Sequence, residues 1–315
     1  MLKFAVVNYD DGFNMNFISV TDLTGSQILD VVSRAKAIKA GDFDTCLSGR
    51  TFGLLFEKPS LRTKMSFQIG INKLGGYGIY LGPEEVGLGK RETTEDISTV
   101  LSSYVDGIIA RVNSHASLTE MATFSAVPII NALSDVEHPC QAVADLLTIS
   151  EYKSISPETK LAFVGDGNNV SRSLSLMCAS VGISFSIATP KKYELDQDTV
   201  NLAADMAARS GATMTYCNDP IEAVYQADIV YTDAWTSMGQ EKESEQRIID
   251  FQGFTVNEEL LTNANPEVIF MHDMPVHYGE EVPKNMLSSS QSVAYKQAFN
   301  RLPAQQAILE YIYKG

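Results

Sequence analysis

Residues 51–63 read TFGLLFEKPSLRT, and this stretch determines how the rest of the chain is interpreted. The apolar run 51–56 is typical of a buried strand, and a helical pattern begins just after Ser60. Helix N-termini leave backbone N–H groups unpaired, and the helix dipole favours negative charge there. Because Ser60, Arg62 and Thr63 add two hydroxyl groups and a guanidinium, the stretch predicts a phosphate site between a strand and a helix. A polar cap on a surface helix would show the same pattern.

Short β-rich runs alternate with helical patterns along the chain, which is typical of parallel α/β architecture. In the first half, we predict strands at 52–56, 77–81, 107–112 and 127–131 and helices at 61–74, 93–104, 118–125 and 141–152. In the second half, we predict strands at 160–164, 184–188, 213–216, 228–232 and 268–271 and helices at 170–180, 199–210, 257–262 and 297–313. The expected fold is α/β with two domains, each a parallel sheet flanked by helices, joined by interdomain helices.

Length and composition limit the class of protein. A chain of 315 residues with 44% hydrophobic residues can form two cores. No apolar run approaches the roughly 20 residues of a membrane span, and the N-terminus lacks a signal-peptide pattern. The four cysteines are scattered, without a CxxC pair or a cluster with the four histidines. We therefore expect a reduced cytoplasmic protein with no metal site.

The net charge of −15 argues against nucleic-acid and anionic-membrane partners, because no basic stripe offsets it. It does not exclude an anionic small-molecule substrate. A few converging Arg and His side chains control a pocket locally, since charges beyond about 8–10 Å are largely screened in physiological salt.

Four ordered segments resemble the aspartate/ornithine carbamoyltransferase family over nearly the whole chain. They are residues 60–63 (SLRT), 138–141 (HPCQ), 233–239 (DAWTSMG) and 272–275 (HDMP). The third is similar to the ornithine branch. The resemblance implies transfer of the carbamoyl group of carbamoyl phosphate to the terminal amine of an amino acid, with L-ornithine, which would give citrulline and phosphate, as the leading acceptor.

The resemblance also implies an architecture and an assembly. A carbamoyl-phosphate-binding domain would comprise residues 1–150 plus 296–315, because the last helix returns to it. An amine-binding domain would comprise residues 151–295. The expected assembly is a homotrimer with active sites between subunits.

The residues implied to bind carbamoyl phosphate lie in three of these segments and at two isolated positions. They are Ser60, Leu61, Arg62, Thr63, Arg111, His138, Gln141, Met274 and Arg301. Those implied to be catalytic are Arg62, Thr63, Arg111, His138, Arg301 and Asp273. Taken alone, Arg111 is also compatible with a solvated strand end, and His138 with an ordinary loop histidine. Cys140 is expected to pack in the core, because the family reaction has no covalent enzyme intermediate.

The residues implied to bind the amine are Asn169, Asp233, Ser237, Met238 and Asp273. A carboxylate at Asp233 suits a ligand ammonium group and repels the side chain of aspartate. A solvated aspartate in a turn is the alternative interpretation of that position.

Residues 165–169 (GDGNN) match a dinucleotide-binding turn only in part. Val170 stands where the third glycine of that fingerprint belongs, and Thr189 and Pro190 stand where an acidic residue would bind the ribose. We therefore expect no nucleotide cofactor.

Several positions depart from the ornithine pattern. Asp273 replaces the cysteine of His-Cys-Leu-Pro, and Phe299 replaces an acidic residue before Asn-Arg. Gly87 replaces a glutamine or histidine in the loop that reaches a neighbouring subunit, and Leu61 replaces a threonine. The first 14 residues extend beyond the usual start of the family and suggest no function.

These departures leave the acceptor open between ornithine and another amine, such as an N-acylornithine, lysine, putrescine or a specialised diamino acid. A non-catalytic paralogue that binds the same ligands is a third hypothesis, and the retained carbonyl-polarising residues weigh against it.

Overall fold

A computed structural model describes residues 15–88, 91–236 and 241–314. Predictions that concern Ser237, Met238 and the N-terminal segment 1–14 lie outside these ranges. Within them, no helix is long and apolar enough to cross a membrane.

The first half forms a parallel sheet. Its strands are β1 (Thr51–Phe56), β2 (Tyr77–Leu81), β3 (Gly107–Arg111) and β4 (Ile129–Leu133), in the spatial order β2-β1-β3-β4. The accompanying helices are α1 (Gly25–Lys39), α2 (Leu61–Lys73), α3 (Pro83–Val86), α4 (Thr94–Ser102) and α5 (His115–Phe124), after a 3-10 turn at Val20–Asp22.

Helix α6 (Pro139–Tyr152) leads to a second parallel sheet. Its strands are β5 (Lys160–Val164), β6 (Ser184–Ala188), β7 (Met214–Cys217), β8 (Ile229–Thr232) and β9 (Ile269–His272), in the order β7-β6-β5-β8-β9. The helices are α7 (Asn169–Val181), α8 (Gln197–Ser210), α9 (Pro220–Val224), α10 (Ser244–Asp250), α11 (Glu258–Leu261) and α12 (Ala294–Lys314), with 3-10 turns at Glu241–Glu243 and Met286–Ser288. The predicted fold class is confirmed.

Strand order fixes where ligands can bind. In the first sheet the chain leaves β1 towards β2 on one side and then crosses to β3 on the other. In the second sheet the same change of direction occurs between β5 and β8. Such switch points open a crevice at the carboxyl ends of the strands. The turns that follow β1, β3, β5, β8 and β9 therefore carry the candidate residues.

The closing helix α12 begins at Ala294, before its predicted start, and packs against α1, α2 and α6 of the first half. Its buried face includes Ala304, Ala307 and Ile308. This packing favours the discontinuous first domain, which remains a prediction.

Some predicted boundaries are wrong. A helix was predicted at 118–125, but α5 begins at His115, whose N–H donates to the Asp135 carboxylate (2.6 Å). Strand β4 is displaced by two residues from 127–131, because pairing with β3 sets its register. Helix α2 ends at Lys73, one residue before its predicted end, and Gly75 follows with φ +86°.

Helix α1 was not predicted, although its sequence carries a helical signal. Ile28, Val31 and Val32 are buried at helical spacing, and Thr24 and Gln27 form a capping box. The loop that was expected to reach a neighbouring subunit contains the short helix α3.

Candidate active site

A cleft of about 1030 Å³ lies between the carboxyl ends of the two sheets. Its walls carry most of the residues that the sequence singles out. From the first half and α12 come Ser60, Leu61, Arg62, Thr63, Arg111, His138 and Arg301, and from the second half come Asn169, Asp233, Asp273 and Met274. Gln141 does not line the cleft and lies behind Arg301.

The turn after β1 leads into a helix terminus that lines the cleft. Ser60 caps α2, and its Oγ accepts from the N–H of Thr63 (3.3 Å) and donates to Thr63 Oγ1 (3.0 Å). The backbone at Ser60 is extended, which directs the first N–H groups of the helix towards the cleft. The Leu61 side chain is 76% exposed, so its apolar character does not obstruct this terminus.

Two buried guanidinium groups face the cleft without a carboxylate partner. Arg111 is 4% exposed and Arg301 is 3% exposed, and neither forms an ion pair with any described residue. Their Nε atoms are buried and have no hydrogen-bond partner in the described part of the chain. Burial, with the neighbouring Arg301 and Arg62 guanidinium groups, lowers the pKa of Arg111 to about 10. A bound anion would offset the cost of burying these two positive charges, because buried charges require partners.

Arg111 is therefore not the solvated strand end that its sequence position also allowed. It is the last residue of β3, and every residue of that strand is buried.

Arg301 is held by two first-half side chains. One of its terminal nitrogens, Nη2, donates to Thr63 Oγ1 (2.7 Å), and the other, Nη1, donates to Gln141 Oε1. These contacts join α12, α2 and α6 at one point. Burial is also the main cause that lowers the pKa of Arg301.

His138 lies at the start of α6, and its backbone N–H donates to Ser173 Oγ (2.8 Å). It is 3% exposed, and burial, with Arg301 and Arg111 nearby, lowers the pKa of its imidazole well below the usual value. The neutral ring can donate one hydrogen bond to a ligand. Cys140 has no exposed surface, and burial raises the pKa of its thiol to about 12, which excludes a ready thiolate nucleophile.

The loop after β9 brings the Met274 carbonyl into the cleft. Met274 has φ +61°, a strained value for a residue other than glycine. Its N–H donates to His272 Nδ1 (2.9 Å), and its carbonyl accepts from Arg62 Nη2 (2.9 Å). Nε2 of His272 lies 3.3 Å from Glu281 Oε1, and both side chains are fully buried. These contacts hold the strained conformation in place.

The wall of the cleft that the second half forms contains two buried carboxyl groups. Asp233 and Asp273 are each 8% exposed, and Asn168 Nδ2 donates to Asp233 Oδ2 (2.9 Å). Burial, and then the charge of Asp233, raise the pKa of Asp273 well above its usual value. One Asp273 oxygen, Oδ1, is buried without a hydrogen-bond partner among the described residues. The alternative of a solvated aspartate at Asp233 is wrong.

Asp233, Asp273 and His272 place potential metal-ligand atoms within 4.8 Å of one another. Both ring nitrogens of His272 are occupied, by Met274 and Glu281. The two carboxyl groups therefore lie beside a histidine whose ring nitrogens are both hydrogen-bonded to other groups. This geometry does not favour a metal.

Two of the departures lie outside the cleft wall. The Phe299 ring is 57% exposed and lies 5.5 Å from the Lys39 ammonium group. Gly87 has φ +50°, and a Cβ there would lie 2.9 Å from Arg91 Cβ. Backbone conformation and close contact thus favour glycine at 87 within this chain.

Several cleft residues were not predicted. Asn168 caps α7 through Oδ1 and binds Asp233 through Nδ2, and Arg247 of α10 forms a buried ion pair with Asp166 (2.7 Å). Lys58 also lines the cleft. The double asparagine after Gly167 was the available signal for Asn168, whereas nothing local pairs Arg247 with Asp166.

Comparisons with known proteins agree with this geometry. Residues 15–151 match the model for the carbamoyl-P binding domain of aspartate/ornithine carbamoyltransferases, and residues 157–312 match the model for the Asp/Orn binding domain. An ornithine carbamoyltransferase of Thermococcus kodakarensis is 43% identical over 302 residues, covering 95% of this chain and 96% of that protein.

Solved structures are similar throughout. The ornithine carbamoyltransferase of Pyrococcus furiosus is 41% identical with a TM-score of 0.92, covering 96% of this chain and 98% of that chain. The anabolic ornithine carbamoyltransferase of Campylobacter jejuni is 35% identical with a TM-score of 0.91, covering 94% and 98%. The chain belongs to the aspartate/ornithine carbamoyltransferase family.

Proposed function

We propose that the protein transfers the carbamoyl group of carbamoyl phosphate to the terminal amine of L-ornithine and releases citrulline and phosphate. The proposal rests on the pair of buried guanidinium groups, Arg111 and Arg301, which line one cleft together with the N-terminus of α2. An anion with a polarisable carbonyl group satisfies both features. Relatives named ornithine carbamoyltransferases over nearly the whole chain support the same acceptor.

In the proposed reaction, the phosphate is bound by the N-terminus of α2 together with Ser60, Arg62 and Thr63. Arg111 reaches the phosphate and the carbonyl oxygen. Its fork geometry suits both groups, since guanidinium donors can bind an anion in a bidentate manner. Where the phosphate takes the Nη2 donor of Arg62, it displaces the Met274 carbonyl.

The carbonyl group is polarised by Thr63, Arg111, His138 and Arg301. The amine nitrogen attacks the carbonyl carbon, the bond to the phosphate oxygen breaks, and the phosphate takes the amine's proton. One preorganised donor to the developing oxyanion contributes about 3–4 kcal/mol, and positioning contributes roughly 7–11 kcal/mol. The Met274 carbonyl would accept from the carbamoyl nitrogen, and Gln141 acts from behind Arg301.

The acceptor is held on the opposite wall. Asp233, which Asn168 orients, binds the α-ammonium group, and Asn169 contributes beside it. Ser237 and Met238 complete this subsite in the proposal. No cofactor or metal takes part.

A second acceptor is favoured by one observation, the buried carboxyl group of Asp273 next to Asp233. Such a pair suits an amine with an additional hydrogen-bond donor near the reacting nitrogen. The candidates are N-acylornithine, lysine, putrescine and specialised diamino acids.

We also propose a homotrimer of cytoplasmic subunits. Its support is an exposed apolar face on α2 and the edge strand β2, where Met65 (46% exposed), Tyr77 (64%) and Ile79 (43%) lie uncovered in a single chain. Exposed apolar patches mark association sites.

The experiment that tests the proposal is phosphate release from carbamoyl phosphate across a panel of amines, with each amine also tested as a competitor. Saturable, ornithine-dependent release supports ornithine as the acceptor. Turnover with another amine alone would identify that amine as the acceptor. Ligand-induced thermal stabilisation without turnover of any amine contradicts the catalytic proposal.

A further inference from the structure

A fully buried polar network lies behind Arg301, outside the wall of the cleft. At its centre is Asp145 of α6, which has no exposed surface. Its Oδ1 accepts from the Nε2 atoms of Gln141 (2.8 Å) and Gln297 (2.7 Å), and its Oδ2 accepts from the Tyr231 hydroxyl (3.1 Å). Three donors therefore satisfy one buried carboxylate, which is the arrangement that such burial requires.

The carboxylate determines which way the Gln141 amide points. A glutamine amide has donors on one side and an acceptor on the other. Because Nε2 of Gln141 donates to Asp145, its Oε1 faces Arg301 and accepts from Nη1. The other terminal nitrogen of Arg301 is then directed to Thr63 Oγ1 (2.7 Å). The orientation of Arg301 thus depends on a group that does not touch the cleft.

The same carboxylate orients a second amide. Nε2 of Gln297 donates to Asp145, so its Oε1 is free to accept from the backbone N–H of His272 (2.8 Å). Nε2 of Gln297 also donates to the Tyr231 hydroxyl (2.9 Å). His272 in turn accepts from the N–H of Met274. Asp145 therefore also holds, through Gln297, the end of β9 and the loop that presents the Met274 carbonyl.

We propose that Asp145 is a positioning residue, which holds Arg301 through Gln141 and the Met274 carbonyl through Gln297. Both held groups are those expected to contact the carbamoyl end of carbamoyl phosphate, so the inference rests on the proposed function. The phosphate end is bound by the terminus of α2, which Asp145 does not contact.

Replacing Asp145 by asparagine tests this division of roles. The new amide would offer one donor and one acceptor where the carboxylate offers acceptors only. Both glutamines donate to Oδ1 and Tyr231 donates to Oδ2. If the NH₂ group takes the Oδ1 position, both glutamines lose their acceptor, and a turned Gln141 would direct its own NH₂ group at Arg301. If it takes the Oδ2 position, Tyr231 loses its acceptor and both glutamine contacts lose their charge assistance. The shape of the side chain is kept, so packing in α6 is disturbed little.

The probes are phosphonoacetamide, which carries both an amide and a phosphonate group, and inorganic phosphate, which carries only the anion. Titration calorimetry on the full chain measures both affinities. For Asp145→Asn we expect phosphonoacetamide affinity to fall about tenfold or more, because a charge-assisted contact is lost. The affinity for inorganic phosphate should change less than about twofold, since its proposed ligands Ser60, Arg62 and Arg111 form no hydrogen bond with Gln141, Gln297 or Asp145.

Thr148→Val is the matched control. Thr148 is also fully buried in α6, and its hydroxyl donates to the Ala144 carbonyl (2.8 Å) and accepts from Asn300 (3.0 Å), outside the network. This variant should keep both affinities. If Asp145→Asn does not fold, Tyr231→Phe removes a single donor from the same carboxylate and should weaken phosphonoacetamide binding selectively.

Equal weakening of both probes by Asp145→Asn would assign it a merely structural role and overturn the inference. Unchanged binding of both probes would overturn it as well. If the unaltered protein binds neither probe, the proposed function itself fails, which is a different result from a failure confined to the variant.

Discussion

Arg62 and the Met274 carbonyl form a hydrogen bond with each other, although each is expected to contact carbamoyl phosphate. The contact (2.9 Å) joins the first turn of α2 to the loop after β9, and so crosses the cleft. Carbamoyl phosphate competes with this contact where it uses the Nη2 donor of Arg62. A guanidinium that exchanges a carbonyl for a phosphate gains a charge-assisted contact, which favours the exchange.

Arg62→Ala should therefore weaken phosphate binding strongly. Loss of a hydrogen bond to a charged group costs about 1.5–3 kcal/mol, which corresponds to roughly tenfold to hundredfold in affinity. Calorimetric titration with inorganic phosphate provides the measurement, and Arg209→Ala, at an exposed position of α8, provides a control that removes the same charge. Near-normal phosphate affinity in Arg62→Ala would contradict the proposed anion site.

Asp273→Cys should raise kcat/KM for ornithine. Burial raises the pKa of Asp273, but a bound ammonium group favours its ionised form. The ionised carboxylate in turn stabilises the ammonium form of the acceptor, and one unit of amine pKa corresponds to about tenfold in reactive amine. Steady-state kinetics with saturating carbamoyl phosphate measures the effect. Asp273→Asn, which keeps the shape and removes the charge, should change it in the same direction. A fall in kcat/KM for both variants would instead make Asp273 a positive element of acceptor binding.

At the scale of elements, α6 joins the two halves and carries a buried carboxyl group whose protonation affects stability. Burial raises the pKa of Asp145 from 3.8 to about 7, although donors from Gln141, Gln297 and Tyr231 oppose the shift. Between about pH 4 and pH 7 the folded protein then binds more protons at this site than the unfolded chain does. The contribution of Asp145 to the free energy of unfolding is therefore largest at low pH and falls as the pH rises through this window.

Asp145→Asn should flatten that part of the pH dependence. Urea unfolding at several pH values inside and above the window measures it, with Thr148→Val as the control. The charged and titratable groups that face Asp145 are Arg301, Asp273, Tyr231 and Cys178. An unchanged slope in Asp145→Asn would assign the pH dependence to other buried carboxyl groups.

Sequence patterns located the elements of the site better than its internal contacts. The strand-to-helix turn at 51–63 and the end of β3 at Arg111 could be inferred, because each combines a local pattern with a strand end. The boundaries of β4 could not, because pairing with β3 sets its register. The Asp145 network also escaped sequence analysis, since its members come from α6, α12 and β8 and meet only in the fold. A polar residue one turn after Gln141, on a helix with a buried apolar face, was the available signal.

At the scale of the whole molecule, the exposed face of β2 and α2 should determine assembly. Ile79→Glu places a charge on the edge strand, and burying a charge without a partner is costly. The unaltered protein should have three times the 34.5 kDa chain mass in light scattering, and the variant should dissociate and lose activity. Arg209→Glu, at an exposed position of α8 in the second half, gives a charge-changing control away from this face. A monomeric unaltered protein with full activity would contradict the proposed trimer.

The most direct test of the central claim is to follow ¹³C-labelled carbamoyl phosphate with ornithine by NMR. We expect the label to move from carbamoyl phosphate to the ureido carbon of citrulline, in step with phosphate release, and we expect Arg301→Ala to abolish the transfer. Phosphate release without a labelled ureido product, or binding of carbamoyl phosphate without any transfer, would contradict it.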